Sequence, residues 1–177
     1  MIQNERTIRN ELVLQAARQM MVAARTAPKG KGIDIIEMAL VSGDDKNLLA
    51  DEMQRIAVEK DWKFFLRDAD NILQADVVMI IGTRQHSQGL NCKHCGYQTC
   101  EAKPAEVPCA INSVDLGIAI GSACAKAADL RVDTRVMFSA GFAAQRLKML
   151  GDDCNCVMAI PVSATSKNPF FDRKPKE

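Results

Sequence analysis

Four of the chain's seven cysteines fall between positions 92 and 109, spaced Cys92-x2-Cys95-x4-Cys100-x8-Cys109. Thiolates bind soft and borderline metals, and a Cys-x2-Cys step lets one tight turn aim two sulfurs at a common centre. Gly96 follows the pair directly, where a positive φ is open and backbone N–H groups are free to point at charged sulfur. The spacing matches neither the ferredoxin runs of bacteria and plants nor the paired Cys-x2-Cys knuckles of zinc modules. Pro104 and Pro108 lie between Cys100 and Cys109, so the second half of the run is not a short chelating pair. That asymmetry favours a cluster whose several irons accept ligands over a wide volume. Zinc, and a disulfide or metal-free loop, are the competing readings.

A balance of 23 basic and 22 acidic residues leaves a net charge of only +1. No global field therefore draws the chain to nucleic acid or to an anionic membrane, and neither partner is expected. The single Trp and single Tyr also argue against a base-stacking surface. No apolar run reaches bilayer length, and the polar start Met1–Glu11 lacks the centre of a signal peptide, so a cytoplasmic protein is expected. In that reducing compartment an odd number of cysteines points to metal or redox chemistry over a disulfide framework.

At 177 residues, 47% of them apolar, the chain is long enough to close one core without staples. Ile8, Leu12, Ala16, Met20 and Ala23, widened by Val13, Ala17 and Ala24, predict a helix from Glu5 to Arg25 that stops at Thr26-Ala27-Pro28. A glycine- and cation-rich connector, Arg25 to Gly32, follows. It reads as a solvated link, with a phosphate cradle as the sharper alternative. Ile33–Val41 predicts a strand, Asn47–Lys60 an amphipathic helix, and Asp70–Gln74 a short helix, with Phe64, Phe65 and Leu66 adding core bulk. The continuous apolar run Ala75–Ile81 predicts a strand buried on both faces. The cysteine loop therefore hangs from the end of a central strand.

Ile111–Leu130 predicts a long helix in which Gly117, Gly121 and Ala125 share a face, read as tight core packing. Cys124 reads as a small buried hydrophobe on this helix. Thr134–Phe138 predicts a strand, Ser139-Ala140-Gly141 a turn, and Phe142–Leu150 a helix ended by Gly151. Cys154–Ile160 predicts a last strand with Cys154, Cys156 and Met158 on one face. His94 lies within the cysteine run but is expected to point outward, and His86 precedes it.

Helix, strand, helix, strand, cysteine loop, helix, strand, helix, strand describes an α+β sandwich with helices covering a mixed sheet. The segment Cys92-Lys-His-Cys-Gly-Tyr-Gln-Thr-Cys100, with Val114-Asp-Leu-Gly-Ile-Ala-Ile-Gly-Ser122 and Lys167-Asn-Pro169, resembles a family of uncharacterised ferredoxin-domain-containing proteins of bacteria and archaea. Cys92-x2-Cys95-Gly96-x3-Cys100 is also similar to a 4Fe-4S motif of electron-transfer and corrinoid proteins, in which the fourth cysteine commonly lies farther downstream than Cys109. The remainder resembles the FMN-dependent nitroreductase fold.

That resemblance implies one nitroreductase-like three-layer domain over residues 1–177, with 84–110 as an inserted iron-sulfur loop. It implies a homodimer binding FMN at its interface. Arg25, Pro28, Lys29 and Gly30 would stand at the flavin loop, and Ser139, Gly141 and Arg173 at its ring and phosphate contacts. Lys29 replaces that family's serine, and Lys31 and Gly32 replace an asparagine and a glutamine. The reading is then an electron-transfer or oxidoreductase protein with a 4Fe-4S cluster on Cys92, Cys95, Cys100 and Cys109. It would pass electrons to FMN, to a redox partner protein or to a small-molecule acceptor. The alternatives are a zinc-binding interaction module and an FMN reductase with a structural cysteine loop.

Overall fold

A computed structural model describes residues 1–171. In chain order the elements are helix α1 (Glu5–Thr26), a 3-10 turn (Gly30–Gly32), strand β1 (Ile36–Val41), helices α2 (Asp44–Lys60) and α3 (Phe64–Gln74), and strand β2 (Val77–Arg84). Helix α4 (Ala110–Asp129), the short strand β3 (Asp133–Thr134), helix α5 (Phe138–Arg146) and strand β4 (Cys154–Ser163) complete the fold. The strands form one sheet in the order β1-β2-β4-β3. The mixed sheet expected from the sequence is, among the described residues, antiparallel at every pairing. Two helices separate β1 from β2, so the chain re-enters the sheet from the opposite end, where a single crossover helix would have made the pair parallel.

Three layers result. Leu49, Met53, Ile56, Phe65 and Ile72 from α2 and α3 pack with Ala140 and Ala143 of α5 on one face. Val13, Ala17 and Met20 of α1 pack with Leu116, Ala119 and Ala123 of α4 on the other. Strand β2 feeds both cores, as its uninterrupted apolar run predicts: Val78 and Ile80 enter the first, and Val77, Met79 and Ile81 the second. Of the three bulky residues after Trp62, only Phe65 is core; Phe64 and Leu66 are exposed. No helix among the described residues is long and apolar enough to cross a membrane.

Helix α1 opens on Asn4, whose side chain accepts from the Arg6 N–H, and closes before Pro28 as expected. Its buried face runs through Val13, Ala16, Ala17, Met20 and Ala24, while Leu12 is exposed. The stripe is thus centred about one residue later than the spacing of Ile8, Leu12 and Ala16 indicates. In α4 the buried positions are Asn112, Asp115, Leu116, Ala119, Ala123 and Ala127. Gly117, Gly121 and Ala125 face outward, with open space beside both glycines. A helix apolar on most sides leaves periodicity nothing to choose with, and the larger Leu116 turned to the core instead.

Two corrections concern the C-terminal half. Ser139-Ala140-Gly141 is not a turn but the first turn of α5, because Met137 exchanges backbone bonds with Ala159 at 2.8 and 3.0 Å and the helix starts at once. Gly141 serves close approach there: a Cβ at that position would lie 2.2 Å from the Val157 carbonyl oxygen. Cys154 and Cys156 do not share a face. Ile81 pairs with Met158 and Thr83 with Asn155, so Cys156 and Val157 both oppose Gly82, a β-bulge in which Cys156 takes φ +51°. Cys154 therefore enters one core, and Cys156 and Met158 pack against the other.

Gly141→Ala should push α5 off β4. The expected loss is about 3 kcal/mol, read as a lowered urea midpoint with unchanged slope.

Candidate metal centre

Strand β2 ends at Arg84, and residues 85–109 run without regular secondary structure to the start of α4. Cys92, Cys95, Cys100 and Cys109 all border one small cavity within this segment. Their settings differ: Cys92 is exposed, Cys95 and Cys100 are half-buried, and Cys109 is buried at the N-cap of α4. Lys93 and Lys103 line the same cavity. His94 is exposed and is not in its wall, and His86 lines a neighbouring space.

Local geometry shapes the loop that carries these cysteines. Lys93 and Gly96 hold positive φ values of +63° and +89°, and the Gly96 N–H closes the turn on the Lys93 carbonyl at 2.9 Å. The Gly96 N–H is therefore spent on the turn and does not point at sulfur. That work falls to a segment the spacing did not single out. The Asn91 N–H donates to Cys100 Sγ at 3.3 Å, while Asn91 Oδ1 accepts from the Cys100 N–H at 2.7 Å. The Ser87 hydroxyl and the N–H groups of Asn91, Gly89 and Leu90 face this sulfur and hold its thiol below the ordinary value. The only sequence signal was an asparagine, a residue tolerant of φ +48°, directly before Cys92. Lys103 braces the second half of the loop, its ammonium donating to the Pro104 and Val107 carbonyls at 3.0 and 2.5 Å.

Of the residues expected around FMN, Arg25, Pro28, Lys29 and Gly30 lie together at the end of α1, whereas Ser139 and Gly141 lie in α5 on the other face of the sheet. Arg25 donates to Asp34 at 2.8 Å and to the Ile36 carbonyl at 2.9 Å, tying α1 to β1. Lys29 caps α1, donating to the Ala24 and Arg25 carbonyls at 2.9 and 2.5 Å. The Gly30 N–H, the donor a phosphate cradle needs, is taken by both carboxylate oxygens of Asp115 at 3.0 and 2.9 Å. Pro28 is exposed beside them. Ser139 and Gly141 are buried in the core on the opposite face of the sheet, where the Ser139 hydroxyl donates to Asp68 at 2.6 Å. Arg173 lies outside the described residues.

Comparison with known proteins agrees with this architecture. Residues 105–173 match a family model described as an uncharacterized protein containing a ferredoxin domain, a span that includes Cys109 and begins after Cys100. An uncharacterized protein of Archaeoglobus fulgidus is 41% identical over 187 aligned residues, covering all of both chains. The chain belongs to this family. Among solved structures it is similar to the nitroreductase CinD from Lactococcus lactis in complex with nicotinic acid, at TM-score 0.63 and 14% identity, covering 99% of this chain and 86% of that one. An oxidoreductase containing FMN gives TM-score 0.61 at 13% identity, over 86% of this chain and 67% of that one. A BluB-like flavoprotein from Clostridium difficile 630 gives 0.57 at 18% identity, over 92% and 84%. These likenesses establish a nitroreductase-like fold for the family member described here.

Cys154 differs chemically from the loop. Burial, then the neighbouring carboxylates of Glu37 and Asp153, push the Cys154 thiol up to about 11. At pH 8 only about a thousandth of it is thiolate. In metal-free protein treated with iodoacetamide at pH 8, mass spectrometry should find Cys92 alkylated and Cys154 untouched, with Cys154 labelling rising as the pH approaches 11.

Proposed function

We propose that Cys92, Cys95, Cys100 and Cys109 hold a 4Fe-4S cluster and that the protein transfers electrons in an oxidoreductase role. The observation that carries this reading is the shared cavity: all four thiols border it. A tetrahedral zinc about 2.3 Å from each sulfur draws its thiolates to within about 3.8 Å of one another, whereas a cluster of several irons takes them from a wider volume. The donor set, four sulfurs with no histidine in the cavity wall, also suits iron-sulfur ligation.

When bound, such a cluster supplies one-electron transfer. The protein's own contribution falls on the sulfurs. N–H groups at Gly89, Leu90 and Asn91 and the Ser87 hydroxyl stabilise negative charge on Cys100. Lys93 and Lys103 offset the charge of four thiolates. Both effects favour the reduced state and raise the potential. FMN forms no part of this proposal, because Arg25, Lys29, Gly30, Ser139 and Gly141 are committed elsewhere within the chain.

Protein purified without oxygen should contain iron and sulfide in near-equal amounts and show broad visible absorption. Cys92→Ser and Cys100→Ser should each lose most of that absorbance, while Cys124→Ser, on the half-buried cysteine of α4, keeps it. A colourless protein with stoichiometric zinc would overturn the reading in favour of a structural module.

The outward face of α4 supports a homodimer as part of the same proposal. Val114 is 55% and Ile118 41% exposed beside Gly117 and Gly121, and Leu12 and Val22 of the adjacent α1 are exposed as well. The small residues let a second backbone approach closely while the larger ones bury apolar area. Sedimentation equilibrium should give a dimer, and Gly121→Arg should convert it to a folded monomer.

A further inference from the structure

The end of α4 farthest from the cysteine loop borders an open depression of about 540 Å³, within the volume range of small-molecule sites. It lies between the first turns of α1, Arg131 just after α4, and residues 164–166 just after β4. Its charged residues are Glu5, Arg6, Arg9 and Arg131. A narrower groove of about 240 Å³ continues from it and shares Glu5, Arg9, Arg131 and Ala164 with it. Val13 and Ala16 of α1, with Leu130 and Val132, give that groove an aliphatic lining. Among the described residues no aromatic side chain lines either space. A 20-residue helix is about 30 Å long, so this place is remote from Cys109 and the other thiols.

The three arginines differ in what holds them. Arg9 donates to both carboxylate oxygens of Glu5, at 2.8 and 3.3 Å. Asp76 also bears on Arg9, and Lys46 stands beside Asp76 to offset it. The guanidinium groups of Arg6 and Arg131 make no ion pair among the described residues. Two positive charges in the lining therefore stand unanswered. Their backbones are nonetheless fixed by the geometry that ends each helix. The Arg6 N–H donates to Asn4 Oδ1 at 3.0 Å in the cap of α1. Arg131 closes α4 at φ +59°, and the next N–H, that of Val132, returns to the Ala127 carbonyl at 3.2 Å. Only the two side chains remain to be ordered by a ligand, which keeps the entropic cost of binding small.

We propose that this site binds an alkyl chain with an anionic headgroup, a fatty acid or an alkyl phosphate. The headgroup lies between Arg6 and Arg131, and the chain runs along the groove past Leu130 and Val132. A guanidinium pairs with two oxygens of a carboxylate or phosphate at once, so both free arginines find partners on one headgroup. Aliphatic walls with no ring to stack on suit a flexible chain over a planar base or ring. The site uses none of the cysteines, so it stands or falls independently of the metal reading.

Calorimetric titration of the full chain with octanoate, acetate and 1-octanol tests it. One octanoate per chain should bind. Acetate keeps the charge and lacks the chain, and should bind about a hundredfold more weakly. 1-Octanol keeps the chain and lacks the charge, and should also bind about a hundredfold more weakly. Arg6→Gln and Arg131→Gln should each weaken octanoate about tenfold and leave 1-octanol unchanged. Both side chains are exposed, so neither change should move the urea midpoint. Octyl phosphate in a parallel titration separates the two headgroups, because the tighter of it and octanoate identifies the class. Failure of both to bind overturns the proposal. So does binding that ignores both arginine changes, or 1-octanol bound as tightly as octanoate, which would mean apolar adsorption only.

Discussion

Strand β2 is hydrogen-bonded on both edges and buried on both faces from Val77 to Thr83, so every other layer is placed by reference to it. Such a strand tolerates no slip, because moving it by one residue would exchange Val78 and Ile80 with Val77, Met79 and Ile81 between two differently shaped cores. Its end at Arg84 is consequently one of the most firmly located points in the molecule. The cysteine segment departs from that point and returns to the sheet layers at Cys109, where α4 is anchored by its contacts with α1 and by the Asp115–Gly30 bonds. An irregular loop is thus held between two rigid posts, which is how a segment without secondary structure keeps four sulfurs around one space.

The same economy governs the glycine-rich connector after α1. Exposed N–H groups, two glycines and several cations are what an anion needs, and they are also what a helix C-terminus and a buried carboxylate need. Here the internal partners won: Lys29 caps α1, and Asp115 occupies the Gly30 N–H. Composition alone does not separate those outcomes, because the deciding residue lies 85 positions away.

What was legible in the sequence followed from local chemistry. The stop at Pro28, the two-faced burial of β2 and the long helix after the cysteine loop rest on proline geometry and apolar runs. What was not legible depended on long-range fit. Gly141 reads as a turn former until the Val157 carbonyl is placed 2.2 Å from its missing Cβ. Alternation along Cys154, Cys156 and Met158 fails because one residue at φ +51° inserts a bulge opposite Gly82. The Asn91 clamp on Cys100 spans nine residues and involves sulfur as acceptor, a pairing no periodicity announces.

Neither hydrophobic core contains a residue from 85 to 109. The packing of both cores therefore does not rest on the cysteine loop, and damage to the loop leaves the body of the protein standing. Exposed Cys92 is consequently a place where oxidation can strike without unfolding anything.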